Sequence, residues 1–470
     1  MNVSSWIVGA QWFFLLFFVG INLGYLLLNL LSWVSLRRYM GARLASELHP
    51  LYSGFEPPVS ILVTAYNEEA IIATSVRSLL QLNYPEFEVV VINDGSKDDT
   101  LGVLMREFAL RPFPEAYRGE LPCKRVRGFY RSVTYPNVRV VDKENGGGKA
   151  DALNAGVNAA RYPLFLAMDA DSVLERDSLQ RVAQPFVEDP TVIASGGTVR
   201  IVNGCSVRDG FLTAVSVPRN LLALFQIVEY LRAFLFARMG LSAVNAVLIV
   251  SGAFGLFKRD AVVEAGGYRT DTLGEDMELV VRLHRLHRLK GKPYRVAFVP
   301  HPICWTEAPE SLSVLKKQRI RWQRGLAESL TLNSALMFHP RGGAPGWFAI
   351  PFMTVFEWWG PLIEVAGYVF ITFALFSGMI SIEPFLIFLA LSFGFGIVLS
   401  LSALLLEENF FHVYTRPKHL ALLLFAAVAE NFGYRQLISF WRLVGLLRWL
   451  TRREEKWGEM KRTATWQQQS

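Results

Sequence analysis

Apolar residues fall along this chain in two regimes, long blocks and short runs. Trp6–Leu36 carries no charged residue, and one membrane-spanning helix needs only ~20 apolar residues. Phe348–Phe376 and Phe385–Leu406 are blocks of the same kind, the first interrupted by Glu357 and Glu364 and crowded by Trp358 and Trp359. Leu420–Leu450 is apolar but holds Glu430, Asn431 and Arg435. It follows Arg416 and Lys418 and precedes Arg452, Arg453 and Lys456, with Arg448 near its end. Basic flanks on both sides argue against a single crossing. This block is therefore expected to break near Gly433 and continue as an interfacial helix. Arg37, Arg38 and Arg43 follow the first block at once, so the positive-inside rule places what comes next in the cytoplasm. That block has no basic segment before it and is too long for a signal peptide, so it reads as a retained anchor.

After Pro57-Pro58 the short runs begin. Val59–Thr64, Glu88–Asn93, Val138–Val141 and Leu164–Met168 read as buried strands. Asn67–Leu82 reads as a helix with Glu68 and Glu69 in its first turn and Ile72, Val76, Leu79 and Leu80 on one face. An Ala-rich helix follows Gly146-Gly147-Gly148-Lys149. Strands alternating with helices predict an α/β domain built on a mainly parallel sheet. Later helices open at Gly274-Glu275-Asp276 and run over about Ser311–Leu330, while the basic stretch Arg282–Arg295 suggests a solvated or membrane-facing helix.

The composition changes this picture little. The chain is 52% hydrophobic with mean hydropathy +0.28, yet carries 48 basic and 41 acidic residues. That combination fits membrane segments attached to a water-soluble domain. A net charge of +7 suits an anionic lipid surface or a phosphorylated substrate. Nucleic acid is not indicated, since no basic run alternates with aromatics. Cys123, Cys205 and Cys304 lie too far apart for a metal-ligand spacing.

Candidate chemistry gathers at strand ends. The run Leu164–Met168 stops in Asp169-Ala170-Asp171, with no basic residue nearby in sequence to pair either carboxylate. Acids there sit at the carboxyl edge of the sheet, where open α/β sheets bind ligands. A divalent cation carrying a diphosphate would relieve their repulsion; a solvated acidic loop would show the same three letters. Asp94-Gly95-Ser96 ends the second strand in the same manner, and Gly146–Lys149 falls at the same edge. The latter fits neither the P-loop nor the dinucleotide fingerprint. Ser251-Gly252-Ala253-Phe254 brings small residues where a ligand or another backbone could approach. Asp276 opens a helix, a position where plain capping is common. Gln318, Arg321 and Trp322 share one helix face: an indole platform and two hydrogen-bonding groups suited to a sugar ring, or an interfacial anchor.

Taken in order, Thr64-Ala65-Tyr66-Asn67-Glu68, Asp94-Gly95-Ser96, Gly147-Gly148-Lys149-Ala150-Asp151-Ala152-Leu153-Asn154, Asp169-Ala170-Asp171, Gly274-Glu275-Asp276 and Gln318-x-x-Arg321-Trp322 resemble the motifs of the processive, membrane-embedded family-2 glycosyltransferases. That group includes cellulose, chitin, hyaluronan and poly-N-acetylglucosamine synthases. The chain length, the stretch Val228-Glu229-Tyr230-Leu231-Arg232 and the small membrane part look most like the last of these. The resemblance implies a GT-A-type fold and a metal-dependent, inverting transfer from a UDP-sugar at the inner face of a bacterial plasma membrane. It implies that Asp94 contacts the uridine, with Thr64, Ala65 and Glu68 in the same pocket. Lys149 would approach the diphosphate and Asp169 the nucleotide or donor sugar. Asp171 would hold Mg2+ or Mn2+, and Asp276 would be the catalytic base. Gln318, Arg321 and Trp322 would surround the diphosphate and the acceptor. Gly274 departs from the pattern, since many relatives have Thr there.

The expected organisation is a transmembrane helix over 1–40 and a cytoplasmic GT-A domain over 57–310. Interfacial helices follow over 311–346, then a membrane region over 347–450 and a cytoplasmic tail over 451–470, with no appended regulatory domain. Expected partners are the UDP-sugar, a growing glycan or a lipid acceptor, and membrane lipids, with room for a small accessory membrane subunit. Glu357, Trp358, Trp359 and Glu364 are candidates for lining an exit path. Two other readings stay open: transfer of a single sugar to a lipid, and a transporter bearing a nucleotide-binding domain. No internal repeat of the transporter kind supports the latter.

Overall fold

A computed structural model describes residues 3–47 and 54–452; nearly all of the tail expected over 451–470, including Arg453 and Lys456, lies outside the described residues. The soluble part is an α/β layer structure. Its strands are β1 (Val59–Ala65), β2 (Phe87–Asp94), β3 (Leu110–Pro112), β4 (Val126–Ser132), β5 (Val138–Lys143) and β6 (Leu164–Asp169). They continue with β7 (Val173–Leu174), β8 (Val192–Ile201), β9 (Ser206–Arg208), β10 (Phe211–Ala214), β11 (Phe254–Lys258) and β12 (Arg295–Thr306). Ten of them form one sheet in the order β3-β4-β5-β2-β1-β6-β11-β8-β12-β7, and β9 pairs with β10 alone.

The sheet is mixed around a parallel centre. β5, β2, β1 and β6 run in the same direction, and their side chains are buried almost throughout, which is why they read as continuous apolar runs. Parallel register brings their carboxyl ends to one edge: Thr64 lies opposite Asp169, and Asp94 opposite Lys143. β11 is antiparallel to β6, with Phe254 opposite Met168. Its amino end therefore reaches the same edge, carrying Ser251-Gly252-Ala253 there.

Two elements depart from the expectations. The helix anticipated over Asn67–Leu82 is regular only over Ile72–Leu79. Asn67 adopts φ 58°, and the backbone N–H groups of Glu68 and Glu69 donate to Thr100 Oγ1 and Asp98 Oδ2. These long-range partners replace the first helical turn. The basic stretch after Arg282 is neither solvated nor membrane-facing over its first turns. Arg282 is buried and donates to Glu278 and to the Gly267 carbonyl, while His284 sits in the core between Tyr294 and the Val247 carbonyl.

Trp6–Gly41 and Ile382–Phe410 are helices long and apolar enough to cross a membrane. A third span arises if Pro345–Trp358 and Gly360–Phe376, bent by 41° at their junction, count as one. The bend coincides with a π-helical turn at Met353–Trp358 and with Pro361 in the first turn of the next helix. The last apolar block forms two helices, Pro417–Ala429 and Tyr434–Leu450, separated at Gly433 with φ 99°.

Buried ion pairs tie these helices to the catalytic layer. Arg200 of β8 pairs with Glu407 of the Ile382–Phe410 helix, each side chain 1% exposed. Arg319 pairs with Glu229 at 2.8 Å, and Arg232 pairs with Glu430. Breaking one member of such a pair leaves an uncompensated buried charge, whereas replacing both by apolar groups is often neutral. Arg200→Met should therefore destabilise the purified protein by about 3–5 kcal/mol. The double variant Arg200→Met/Glu407→Leu should recover most of the loss, read as thermal midpoints in the same detergent. A second expectation concerns Gly274. A Cβ there would lie 2.8 Å from Gly325 Cα, because the Glu275–Lys290 and Leu312–Leu332 helices touch backbone to backbone at that point. Gly274→Thr should thus cost about 1–3 kcal/mol by overpacking and lower activity by displacing Asp276, with Gly274→Ala milder in both.

Candidate active site

At the carboxyl edge of the parallel strands, acids and cations interleave. Asp94 ends β2 and is buried. Its Oδ1 accepts from Lys143 Nζ and from the Gly146 N–H at 3.1 Å. Asn145 Nδ2 donates to the Asp94 carbonyl at 2.7 Å. Burial pushes the Asp94 carboxyl up from its ordinary value, and the bonds from Lys143 and Gly146 oppose that shift. Lys143 ends β5 with its side chain 0% exposed, and pairs also with Asp151 Oδ1 at 2.6 Å. Lys143 and Asp151 did not stand out as site residues in the sequence. Their signal was a cation and an acid on either side of the glycine-rich turn, legible only once Asp94 is known to face them. Thr64, Ala65 and Glu68 lie with Asp94 on the wall of one cavity.

That cavity, of about 2180 Å³, is lined by every sequence-predicted site residue: Thr64, Ala65, Glu68, Asp94, Lys149, Asp169, Asp171, Asp276, Gln318, Arg321 and Trp322. The fold also supplies the cation that the local sequence around Asp169 lacks. Lys149 Nζ, at the first turn of the Lys149–Ala159 helix, donates to Asp169 Oδ1 at 2.7 Å and to the Gly252 carbonyl at 2.6 Å. Asp171 follows within the same tight turn, closed by the Ser172 N–H donating to the Asp169 carbonyl.

Gly252 connects the two halves of the site. Its carbonyl accepts from Lys149, and its N–H donates to Asp276 Oδ2 at 3.0 Å. The other oxygen of Asp276 accepts from the Met277 N–H at 2.8 Å. Asp276 thus satisfies one free donor in the first turn of its helix, whose N-cap position is Gly274, and a second element also holds its carboxylate on the cavity wall. Glu275 beside it is buried. Burial, then the charge of Asp276, holds the Glu275 carboxyl well above the usual range, against the opposing charges of Lys149 and Arg321.

Gln318, Arg321 and Trp322 enter from the Leu312–Leu332 helix. Trp322 is 43% exposed, and the Arg319 guanidinium lies over its ring at 4.4 Å. The cavity continues between the apolar helices past Asn22 and Tyr25 to Glu357, Glu364 and Arg442. Arg442 pairs with Glu357 at 2.7 Å, and Ser439 donates to Glu364. Of the four residues expected to line an exit path, only the two glutamates do so. Trp358 packs instead against Trp359 and Trp449, with ring centroids 5.5 and 5.2 Å away. Aromatic mutual packing wins over exposure to a polar wall.

Comparison with known proteins agrees with this layout. Residues 60–115 match the family model described as Glycosyl transferase family 2, and residues 123–325 match the one described as Glycosyltransferase like family 2. Poly-beta-1,6-N-acetyl-D-glucosamine synthases of Staphylococcus epidermidis and Staphylococcus aureus (strain COL) are 29% and 30% identical over 272 residues, 58% of this chain and 55% of theirs. The chain thus spans about half the length of the curated relatives it matches. A mannosyltransferase from Pyrobaculum calidifontis, solved with GDP-Man and Mn2+, superposes with a TM-score of 0.51 at 19% identity, covering 88% of this chain and 99% of that one. That is a likeness of fold. With both family models falling on the strands and turns that build the cavity, the chain belongs to glycosyltransferase family 2.

Proposed function

We propose that this protein polymerises a β-linked, N-acetylglucosamine-containing glycan from a UDP-sugar, by direct inverting transfer at the cytoplasmic face of a bacterial inner membrane that it crosses more than once. The observation that carries the reading is the two-sided Gly252 peptide, which fixes Asp276 and the Lys149–Asp169 pair across one cavity. One carboxylate thereby faces an acceptor while a cation stands on the donor side.

The chemistry follows from charge. As the bond between the anomeric carbon and UDP breaks, the diphosphate leaves with the electron pair, and Lys149 and Arg321 lie on the same cavity wall to stabilise it. Asp169 and Asp171 offer hard carboxylate oxygens two residues apart at the end of β6, a donor set that suits Mg2+ or Mn2+ when a diphosphate completes the coordination. Such an ion, when bound, would neutralise the leaving group. Asp94, kept in place by Lys143, would accept from the base or ribose, beside Thr64, Ala65 and Glu68. An acceptor hydroxyl would attack the anomeric carbon and lose its proton to Asp276, contributing on the order of 10²–10⁴-fold in rate. A single displacement inverts the anomeric centre, so an α-linked donor gives a β-linked product. Trp322, with Gln318 beside it, would carry the acceptor sugar on the ring face.

A cavity continuous with the space between membrane helices favours a growing chain over a single lipid-linked sugar, and it would serve as the polymer's way out. Product length distinguishes the two. In nanodiscs with each common UDP-sugar in turn, UDP release accompanied by a long product is expected from UDP-N-acetylglucosamine. Asp276→Asn should cut both by about 10²–10⁴-fold. Glu275→Gln should retain most activity, because an amide imitates the protonated form toward which burial pushes this carboxyl; a loss as large as that of Asp276→Asn would sink this assignment. Removal of divalent ions by a chelator should abolish UDP release, and adding back Mg2+ or Mn2+ should restore it. Full activity in the chelator would exclude the metal role of Asp169 and Asp171.

A further inference from the structure

The Leu221–Leu231 helix passes into a π-helical turn, Arg232–Arg238. Such turns insert an extra residue into the helix and recur at functional sites because they re-aim side chains. Here the turn separates two arginines of different fates. Arg232 is spent on Glu430 and Ser400. Arg238 lines the cavity that holds Asp276. Its guanidinium stacks on the Phe234 ring at 3.9 Å, and among the described residues it has no hydrogen-bond or ion-pair partner. Nη1 is fully buried in that state. Burial depresses its pKa to about 10, against the attraction of the Asp276 charge, so the group stays a cation at neutral pH.

A partly buried cation stacked on an aromatic ring, with one donor fully buried and unused, is costly unless something in the cavity completes it. The Gln318 Oε1 acceptor, which lines the same cavity, is also buried without a partner. An unused donor and an unused acceptor in one cavity suit a neutral ligand rich in both, such as a sugar bearing hydroxyl and acetamido groups. A phosphate has no N–H or O–H to offer Gln318, and it would meet the charge of Asp276.

Resting on the polymer reading above, we propose that Arg238 is an acceptor-binding residue, donating hydrogen bonds to an oxygen of the terminal sugar whose hydroxyl faces Asp276. The Phe234 ring fixes the plane of the guanidinium, and Asp276 sets the sign of the field in which it sits.

The test is binding to full-length protein in nanodiscs, so that it does not depend on turnover. The probes are UDP and a β-1,6-linked N-acetylglucosamine tetramer, the latter titrated in the presence of saturating UDP. Arg238→Met keeps bulk over Phe234 and removes the donors; Arg238→Lys keeps the charge, and Arg238→Gln guards against a packing failure of either. The glycan should bind Arg238→Met and Arg238→Gln roughly 10- to 100-fold more weakly than wild type, Arg238→Lys should fall between, and UDP affinity should hold in all of them. Equal glycan affinity in wild type and Arg238→Met overturns the inference alone. An equal loss of UDP affinity overturns it by moving Arg238 to the donor side. Wild type that binds UDP but no glycan overturns both this inference and the polymer reading, while leaving sugar transfer to another acceptor standing.

Discussion

Four parallel strands delivering their carboxyl ends to one edge concentrate acids there, and acids so placed repel unless cations are set between them. The structure satisfies that constraint twice. Lys143 stands between Asp94 and Asp151, and Lys149 reaches Asp169. The two cations differ in use. Lys143 has no exposed side-chain surface and serves to hold Asp94 in place. Lys149 lines the open cavity, its side chain 8% exposed. A carboxylate cluster without these lysines would have to protonate or spread apart, and neither state would present Asp94 or Asp169 in a defined direction.

Small backbone does the rest of the positioning. Gly252 accepts from Lys149 and donates to Asp276, and Gly274 meets Gly325 where the helix bearing Asp276 crosses the helix bearing Gln318 and Arg321. That crossing explains why Gly stands at position 274: with Gly325 opposite, a side chain has no room. The Asp276 carboxylate is therefore held by backbone N–H groups from two elements.

The membrane-facing half follows a different logic. Polar side chains there sit in networks, Glu229 with Arg319 and Tyr434, Glu357 with Arg442 and Tyr25, Arg232 with Glu430 and Ser400. Paired charges are tolerated in apolar surroundings where single ones are not. These networks bind the helices to the α/β layer, and the polar wall they leave belongs to the same cavity as Asp276 and Trp322. Under the proposed function, a join of this kind would let an acceptor end stay beside Asp276 while the rest of a chain lies between helices.

Much of this protein could be read from its residues in order. Strand runs, apolar blocks, the break at Gly433 and the acids at strand ends are local features, set by burial and by periods of a few residues. The order of the turns carried the family. What spacing could not carry were partners from distant elements: Lys143 and Lys149 beside acids 49 and 20 residues away, Gly252 beside Lys149 at a separation of 103, and Arg200 beside Glu407 at 207. The same holds for Asn67–Ile71, where bonds to Ser96, Asp98 and Thr100 overrode a helical pattern. It holds also for Trp358, which packs against the distant Trp449. Local patterning determines which residues end a strand or fill a face. Only closure of the sheet and helix crossing decide which charge answers which, because pairing energy depends on distance in space and not along the chain.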